Sequence, residues 1–192
     1  MTLSADQGRA LLRLARASLS EKLGRPLPPS EIEALRHHLE EPALDAFAGT
    51  FVTLKLRNCL RGCIGCLHPV EPIRAGVRSN ALNAAFHDPR FSSLTLRELD
   101  QVHIEVSVLS APRPLDYTGA DDLIAKLVPH VHGVMLRKGH ASATFLPQVW
   151  EQLPAPEDFL GHLCRKAGLP PDEWKRSRME VSTYRVQSFE EK

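Results

Sequence analysis

Three of the four cysteines lie in one short segment, where Cys59, Cys63 and Cys66 form the pattern C-x3-C-x2-C. Three thiolates at this spacing match the iron–sulfur motif of radical SAM enzymes. A structural zinc site is the second alternative, and it needs a fourth ligand from nearby His68 or from distant Cys164. The third interpretation is that Cys59 and Cys66 are small, half-buried strand residues, a common environment for cysteine.

The local sequence argues against both metals. The segment is predicted to lie on a pair of strands rather than in a flexible loop. Gly65 also stands before the third cysteine, where radical SAM enzymes usually have an aromatic residue. A C-x2-C pair with His68 alone is a weak zinc pattern, because the ligand set is one short. We therefore expect no bound metal and no cofactor.

Cys63 differs from the other cysteines because of its neighbours in the sequence Arg61-Gly62-Cys63. Gly62 and Gly65 remove side chains around it, so that a ligand can approach the backbone closely. Arg61 supplies a positive charge that favours a nucleophilic thiolate. Adjacent side chains point to opposite faces of a regular strand, so this arrangement requires a β-bulge. The alternative is that the glycines only permit the bulge and that Cys63 fills space.

Helical periodicity and capping residues predict the helices that surround this segment. Ser4 and Gln7 form a capping box before a first helix, and Gly24 ends it. Thr95 and Glu98 form a second box before a short helix. Further helices are predicted over residues 31–40, 71–86, 121–127 and 156–167.

Alternation of apolar and polar residues predicts the strands. The clearest is 102–109, where His103, Glu105 and Ser107 form a polar face. The others are predicted over 51–56, 60–67, 132–137, 142–146 and 179–189, with a loop over 111–114. Because short turns join several strands, we predict an α+β fold, mostly antiparallel sheet flanked by helices, in a single domain over residues 1–192.

The composition excludes several functional classes. The formal net charge is +1 and aromatic residues make up 6%, which disfavours nucleic acid as a partner. The apolar stretches are shorter than a membrane span requires, so we expect no membrane association. The clustered cysteines do not resemble a secreted disulfide framework, which indicates the cytoplasm.

Seven motifs occur in an order that resembles the AMMECR domain family, whose bacterial and archaeal members are called AmmeMemoRadiSam system protein A. The motif LRGCIG, at Leu60–Gly65, is at the centre of the resemblance. The others are FVTL (51–54), DPRF (88–91), IEVSVLS (104–110), TFLPQV (144–149), LCRKAGL (163–169) with Trp174, and YRVQSF (184–189). Cys59, Cys66 and His68 lie outside the family pattern, which weakens both metal interpretations further.

The resemblance implies a two-lobed α+β protein with a cavity between the lobes. It also implies a Memo-type protein and a radical SAM protein as partners in a small redox or modification system. The positions that match the family pattern are the candidate site residues: Arg61, Gly62, Cys63, Gly65, Asp88, Arg90, Glu105, Ser107, Gln148 and Lys166.

These positions suggest an enzyme in which Cys63 is a nucleophile or covalent carrier and Glu105 an acid/base candidate. Arg61 and Arg90 would hold an anionic small molecule or peptide, although Arg90 also suits a salt bridge with Asp88 that locks the turn. We expect Arg61, Glu105, Gln148 and Lys166 to converge on one cleft. The alternative function is a non-catalytic scaffold that binds a ligand or protein with the same residues.

Overall fold

The computed structural model describes residues 2–191 and divides the chain into two compact units. The first contains the chain up to Leu109 together with the segment from Gln187 onward, and the second is Ser110–Val186. The second unit is thus an insertion between two segments of the first.

The elements follow the predicted order closely. The helices are α1 (Ala5–Lys22), α2 (Pro29–Leu39), α3 (Ile73–Phe86), α4 (Leu96–Leu99), α5 (Ala120–Lys126), α6 (Pro156–Lys166) and α7 (Glu173–Arg176), with 3-10 turns at Pro42–Asp45 and Pro147–Glu151. The strands are β1 (Gly49–Leu56), β2 (Cys59–Cys66), β3 (Val102–Leu109), β4 (Arg113–Pro114), β5 (Gly133–Lys138), β6 (Ala141–Phe145), β7 (Glu180–Tyr184) and β8 (Val186–Glu190).

The first unit is an antiparallel sheet with the strand order β2-β1-β3-β8 and helices on one face. The inward residues of β1 and β3, such as Val52, Leu54 and Ile104, are fully buried and pack with apolar residues of α1 and α3. The expected capping box begins α1, since Ser4 accepts from the Gln7 amide and Gln7 accepts from the Ser4 amide. The opposite face of this sheet carries the polar residues of the alternating pattern.

The second unit is another antiparallel sheet, in the order β4-β7-β5-β6, with a separate apolar core. Trp150 stacks on Phe159 at 3.7 Å between ring centroids, and both side chains are fully buried. The predicted hairpin of β5 and β6 is present and turns at Gly139, whose φ of +59° suits glycine. The predicted α+β class is therefore confirmed.

Two predicted elements are corrected. The single terminal strand over 179–189 is wrong, because the chain leaves one sheet after Tyr184 and enters the other at Val186. The loop over 111–114 contains β4, which pairs with β7 at Arg113–Thr183. In both cases a long-range pairing decides the structure, and no local pattern reports it.

Candidate functional site

A β-bulge interrupts β2 at Arg61. Leu54 of β1 lies opposite Gly62 and the next residue, Lys55, lies opposite Leu60, so Arg61 is the extra residue between them. The bulge that the sequence required is therefore present. The Arg61 side chain, however, does not have the partner that the sequence suggested.

The Arg61 guanidinium pairs with Glu98 of α4 instead of folding towards the Cys63 sulfur. Arg61 Nε donates to Glu98 Oε1 at 2.9 Å and Nη2 donates to Oε2 at 3.2 Å, and Arg61 is 8% exposed. Glu98 Oε2 also accepts from the Thr95 amide at 2.9 Å. These hydrogen bonds, that of Arg61 first, lower the pKa of Glu98 to about 2. The expectation that Arg61 stabilises a Cys63 thiolate is corrected, because its charge is already paired.

The two glycines of the motif are explained by close packing inside the first unit. A Cβ atom at Gly62 would lie 2.1 Å from the Ala84 carbonyl oxygen of α3, so the missing side chain lets helix and strand touch. A Cβ atom at Gly65 would lie 2.3 Å from the Phe51 ring of β1. Neighbouring protein atoms therefore occupy the space that the sequence suggested for a ligand.

Asp88 and Arg90 clamp the backbone of Cys63 at the open edge of the sheet. The buried Asp88 carboxylate accepts from the Cys63 amide at 2.9 Å, and Arg90 Nη2 donates to the Cys63 carbonyl at 3.2 Å. Arg90 Nη2 also bonds Asp88 Oδ2 at 2.7 Å, so the expected salt bridge is present. The hydrogen bond from the Arg90 side chain holds the pKa of Asp88 far below its usual range. The pair substitutes for a neighbouring strand and fixes the main chain that carries the thiol.

The Cys63 side chain lies on the polar face of the sheet, in one row with side chains of the next two strands. Cys63 pairs with Thr53 of β1, and Thr53 pairs with Glu105 of β3. Residues opposite each other in an antiparallel sheet share a face, so the row runs from the thiol to the carboxylate. The Thr53 hydroxyl donates to Cys63 Sγ at 3.2 Å. The half-buried sulfur thus contacts a hydroxyl group.

Lys55 is a functional candidate that the sequence reasoning missed. Its Nζ lies 2.9 Å from Glu105 Oε2 and 2.9 Å from Glu190 Oε1 of β8. The hydrogen bond that Lys55 donates to Glu190, followed by that to Glu105, raises the pKa of Lys55. The alternation of 51–56 carried the signal, because Thr53 and Lys55 share a face when Val52 and Leu54 face the core.

Ser107 extends the polar face by one further row. It is 5% exposed, pairs with Phe51 across the sheet, and its Oγ lies 3.0 Å from Ser188 Oγ of β8. Ser107 and Glu105 thus lie two residues apart on the same face as Cys63, Thr53 and Lys55. We define the polar face by these five residues.

The remaining candidates, Gln148 and Lys166, belong to the second unit. Gln148 is exposed on the 3-10 turn, and Lys166 Nζ donates to the Thr144 carbonyl of β6 at 3.0 Å. Lys166 Nζ also lies 5.1 Å from the centre of the Phe145 ring. The convergence of Arg61 and Glu105 with Gln148 and Lys166 stays a prediction.

The three clustered cysteines do not share a side of the sheet. Cys66 pairs with Thr50, whose hydroxyl accepts from Asn80 of α3 at 2.9 Å, so Cys66 lies on the helical face. Cys63 lies on the opposite face. Within residues 2–191, no three His, Cys, Asp or Glu side chains are grouped closely enough to hold a metal ion. This geometry separates the ligands that either metal interpretation needed.

Helices long and apolar enough to cross a bilayer are likewise absent from residues 2–191.

The model of the AMMECR1 family matches residues 12–189 of the chain. A protein of Thermofilum pendens is 37% identical over 98% of this chain and 92% of its own length. One from Methanothermobacter thermautotrophicus is 35% identical over 98% and 96%.

A solved structure also matches along nearly the whole chain. The crystal structure of an uncharacterized protein from Pyrococcus horikoshii has a TM-score of 0.80 and 33% identity, covering 99% of this chain and 94% of that one. The family match over residues 12–189 spans the LRGCIG segment and the five residues of the polar face. The resemblance seen in the sequence is confirmed, and the chain belongs to the AMMECR1 family.

Proposed function

We propose that the polar face binds a small-molecule or peptide ligand and that Cys63 is its reactive thiol, acting as a nucleophile or covalent carrier. The observation that supports this is the row of Cys63, Thr53 and Glu105 across three strands. A thiol, a hydroxyl and a carboxylate on one face form a set that can contact a single ligand. The Asp88–Arg90 clamp holds the thiol's backbone in place beside this row.

In this proposal, different residues of the polar face contact different parts of the ligand. Neighbouring strands lie about 4.8 Å apart, so Glu105 is about 10 Å from the row position of Cys63. Glu105 therefore contacts the part of the ligand that lies over β3, while the Cys63 sulfur contacts the part over β2. Lys55 lies 2.9 Å from the carboxylates of both Glu105 and Glu190, so its charge is already paired, and in this proposal it orients Glu105 rather than binding an anion.

The proposed setting is a small redox or modification system in the cytoplasm. Its proposed partners are a Memo-type protein and a radical SAM protein, as the family resemblance implies. Co-expression with these two proteins, followed by purification and mass spectrometry of the intact chain, tests both points. The expected result is co-purification and a mass adduct located on Cys63. The absence of both from every preparation would contradict the proposal.

Alkylation by iodoacetamide between pH 6 and 9 tests the thiol itself. Cys59 is exposed, Cys63 and Cys66 are half-buried and Cys164 is fully buried, so access alone predicts that Cys59 reacts fastest. Burial raises the pKa of Cys164, which should be inert. We expect Cys63 to react faster than Cys59 and Cys66 in spite of its lower exposure. If Cys63 reacts no faster than Cys164, the nucleophile proposal fails.

Two variants distinguish an effect of the Thr53 hydroxyl on the Cys63 thiol from an effect of solvent access alone. Thr53→Val removes the hydroxyl that contacts Sγ and keeps the side-chain shape, so it should change the Cys63 alkylation rate several-fold. Thr183→Val, on β7 in the second unit, is the matched control and should leave that rate unchanged. Equal rates in the wild type and Thr53→Val would show that the hydroxyl has no influence on the sulfur.

A non-catalytic scaffold is the second candidate function. It is favoured by the pairing of Arg61 with Glu98, which removes the cation expected beside the thiol. A scaffold should tolerate Cys63→Ser, because serine keeps the size and polarity of the side chain. Partner co-purification that survives Cys63→Ser, with no adduct on the wild-type chain, would favour the scaffold.

A further inference from the structure

The loop between α5 and β5, in the second unit, closes on itself through a histidine side chain. The Val128 amide donates to His132 Nδ1 at 3.2 Å, and the His132 amide donates to the Val128 carbonyl at 3.0 Å. These reciprocal hydrogen bonds join the two ends of residues 128–132, which we call the histidine loop. One of the two bonds therefore depends on the protonation state of an imidazole ring.

The bond to Nδ1 identifies the state of the His132 ring. Because the Val128 amide is the donor, Nδ1 has no proton, and the ring is neutral with its proton on Nε2. The ring is half-buried, and among residues 2–191 Arg185 is the one charged group whose field changes its pKa. Burial first, and then the positive charge of Arg185, lower the pKa of His132 below its ordinary 6.5.

The histidine loop has a backbone conformation that its sequence does not favour. His130, the exposed titratable residue at its centre, has a φ of +62°, in the left-handed region that residues other than glycine rarely adopt. Val128 and Val131 are 46% and 37% exposed, so burial of apolar side chains does little to hold the loop. The hydrogen bonds between its two ends are therefore needed to keep it closed.

His132 also connects the loop to the core of the second unit. Trp150 Nε1 donates to the His132 carbonyl at 2.7 Å, and the Trp150 ring stacks on Phe159. Trp150 belongs to the 3-10 turn that contains the candidate residue Gln148. A movement of His132 therefore affects a hydrogen bond of that turn.

From this arrangement we infer that the histidine loop is a pH-sensitive latch, closed when His132 is neutral and open when its ring is protonated. Protonation places an N–H group on Nδ1 opposite the Val128 amide, so the acceptor is lost and two donors face each other. Arg185 also repels the charged ring. The folded loop favours the neutral ring, so closure is complete above pH 6.5 and is lost as the pH falls through the lowered pKa of His132.

Amide hydrogen exchange of Val128 and His132, followed by NMR between pH 7.5 and 4.5 and corrected for intrinsic exchange rates, measures the latch. We expect the protection factors of both amides to fall at least fivefold at pH 4.5. The amide of Leu136, in the middle of β5, should keep its protection because the sheet does not depend on the loop. Unchanged protection of Val128 at pH 4.5, or an equal loss at Leu136, would overturn the inference.

Two substitutions of His132 distinguish the acceptor from the charge. His132→Asn keeps an acceptor oxygen near the position of Nδ1 and cannot be protonated, so Val128 should stay protected at both pH values. His132→Phe removes the acceptor, so Val128 should exchange rapidly at both. His140→Asn, at an exposed position in the turn between β5 and β6, is the matched control and should behave as the wild type does. If His132→Asn loses protection as steeply as the wild type, His132 does not control the loop.

Arg185→Gln tests the latch without changing His132. Removal of this exposed charge should raise the pH at which the His132 ring titrates by several tenths of a unit, as measured by NMR of the ring. The loss of Val128 protection should move to higher pH by the same amount. Arg137→Gln, at an exposed position of β5, is the matched control and should change neither value.

The comparison of the wild type with Arg185→Gln decides the inference even if both substitutions of His132 disturb the fold. A shift in the titration of His132 that leaves the pH dependence of Val128 protection unchanged would show that the ring does not hold the loop.

Discussion

The outer strands β2 and β6 show how differently the two sheets use charge. At Cys63 of β2, Asp88 accepts from the amide and Arg90 donates to the carbonyl, so both backbone groups are satisfied by an ion pair. At Thr144 of β6, Lys166 alone donates to the carbonyl. The first arrangement immobilises a residue of the proposed site, whereas the second ties the end of α6 to an ordinary edge strand.

The interiors of the two units also differ in how far they depend on charged side chains. The first unit holds the bulge in β2 with the largely buried pair Arg61–Glu98. The second unit relies on the Trp150–Phe159 stack and on Tyr184, whose hydroxyl lies 2.9 Å from Thr144 Oγ1. Five charged or glycine positions of the family pattern therefore have structural partners in the first unit: Arg61, Gly62, Gly65, Asp88 and Arg90. The residues of the polar face remain as the candidates for chemistry.

The largest expected effect is that of Gly62→Ala. The new Cβ would collide with the backbone of Ala84, so β2 must move away from α3, and we expect a loss of about 3 kcal/mol in the free energy of unfolding. Gly161→Ala in α6 is the matched change in the second unit, where the nearest atom is the Pro171 carbonyl oxygen at 3.3 Å. Alanine favours the helix there, so the change should stay within about 1 kcal/mol.

Urea denaturation followed by circular dichroism measures both glycine variants. Similar losses for Gly62→Ala and Gly161→Ala would show that the contact between β2 and α3 is no tighter than an ordinary helix contact. That result would remove the packing explanation for Gly62.

Tyr184→Phe should abolish an alkaline sensitivity of the second unit. Burial raises the pKa of Tyr184 from its ordinary 10 to about 12, so folding favours the protonated phenol. The resulting stability is present below pH 10 and is lost as the pH rises towards 12, by up to about 3 kcal/mol. Tryptophan fluorescence reports on this unit, since both tryptophans, Trp150 and Trp174, belong to it.

In urea titrations from pH 9 to 12, the wild type should lose stability more steeply than Tyr184→Phe. At pH 7 the variant should be less stable by about 1 kcal/mol, because the Phe145 carbonyl loses its hydrogen bond from the phenol. If the free energies of unfolding of the two proteins fall equally between pH 9 and 12, the alkaline sensitivity does not come from Tyr184.

Glu98→Gln should produce the opposite pH response in the first unit. The pKa of Glu98 falls from its ordinary 4.5 to about 2 through its hydrogen bonds with Arg61 and Thr95. The stability from this group is present above pH 4.5 and is lost as the pH falls towards 2. The effect should be smaller than that of Tyr184, because Glu98 is partly exposed and solvent screens the pair.

Amide hydrogen exchange of β1 residues between pH 5 and 2.5 measures this response. Protection in the wild type should fall more steeply with decreasing pH than protection in Glu98→Gln, whereas tryptophan fluorescence should change equally in both proteins. If both proteins lose protection at the same rate, the Arg61–Glu98 pair does not determine the acid response.

Lys166→Met should have the smallest effect. The ammonium is exposed and satisfies one carbonyl, so its loss should cost about 0.5 kcal/mol at pH 7 by urea denaturation. A loss above about 2 kcal/mol would show that the two edges are equally dependent on charge and would remove the contrast between them.

Much of the local structure was predictable because it depends on neighbouring residues. The Ser4–Gln7 box at α1 and the strict alternation of β3 each encode one element within a few positions. The turn of Asp88 and Arg90 was predictable for the same reason, although its bond to Cys63 was not. Short-range patterns predict a helix, strand or turn, but they do not predict the distant residues that it contacts.

The errors involve partners that are far apart in sequence. Arg61 was assigned to Cys63, two residues away, whereas its partner Glu98 lies 37 residues on. The terminal strand alternates without a break across Arg185, and nothing local marks the change of sheet. Lys55 was missed for a different reason, since its alternation with the buried Leu54 was visible and only its two carboxylate partners were hidden.

The insertion of the second unit between β3 and β8 has a consequence for synthesis on the ribosome. The sheet of the first unit contains β8, so it stays incomplete until β8 has left the exit tunnel. The inserted unit, Ser110–Val186, is continuous and can fold earlier. A nascent chain stalled before Val186 would thus expose the unpaired edge of β3, an aggregation-prone surface that chaperones recognise.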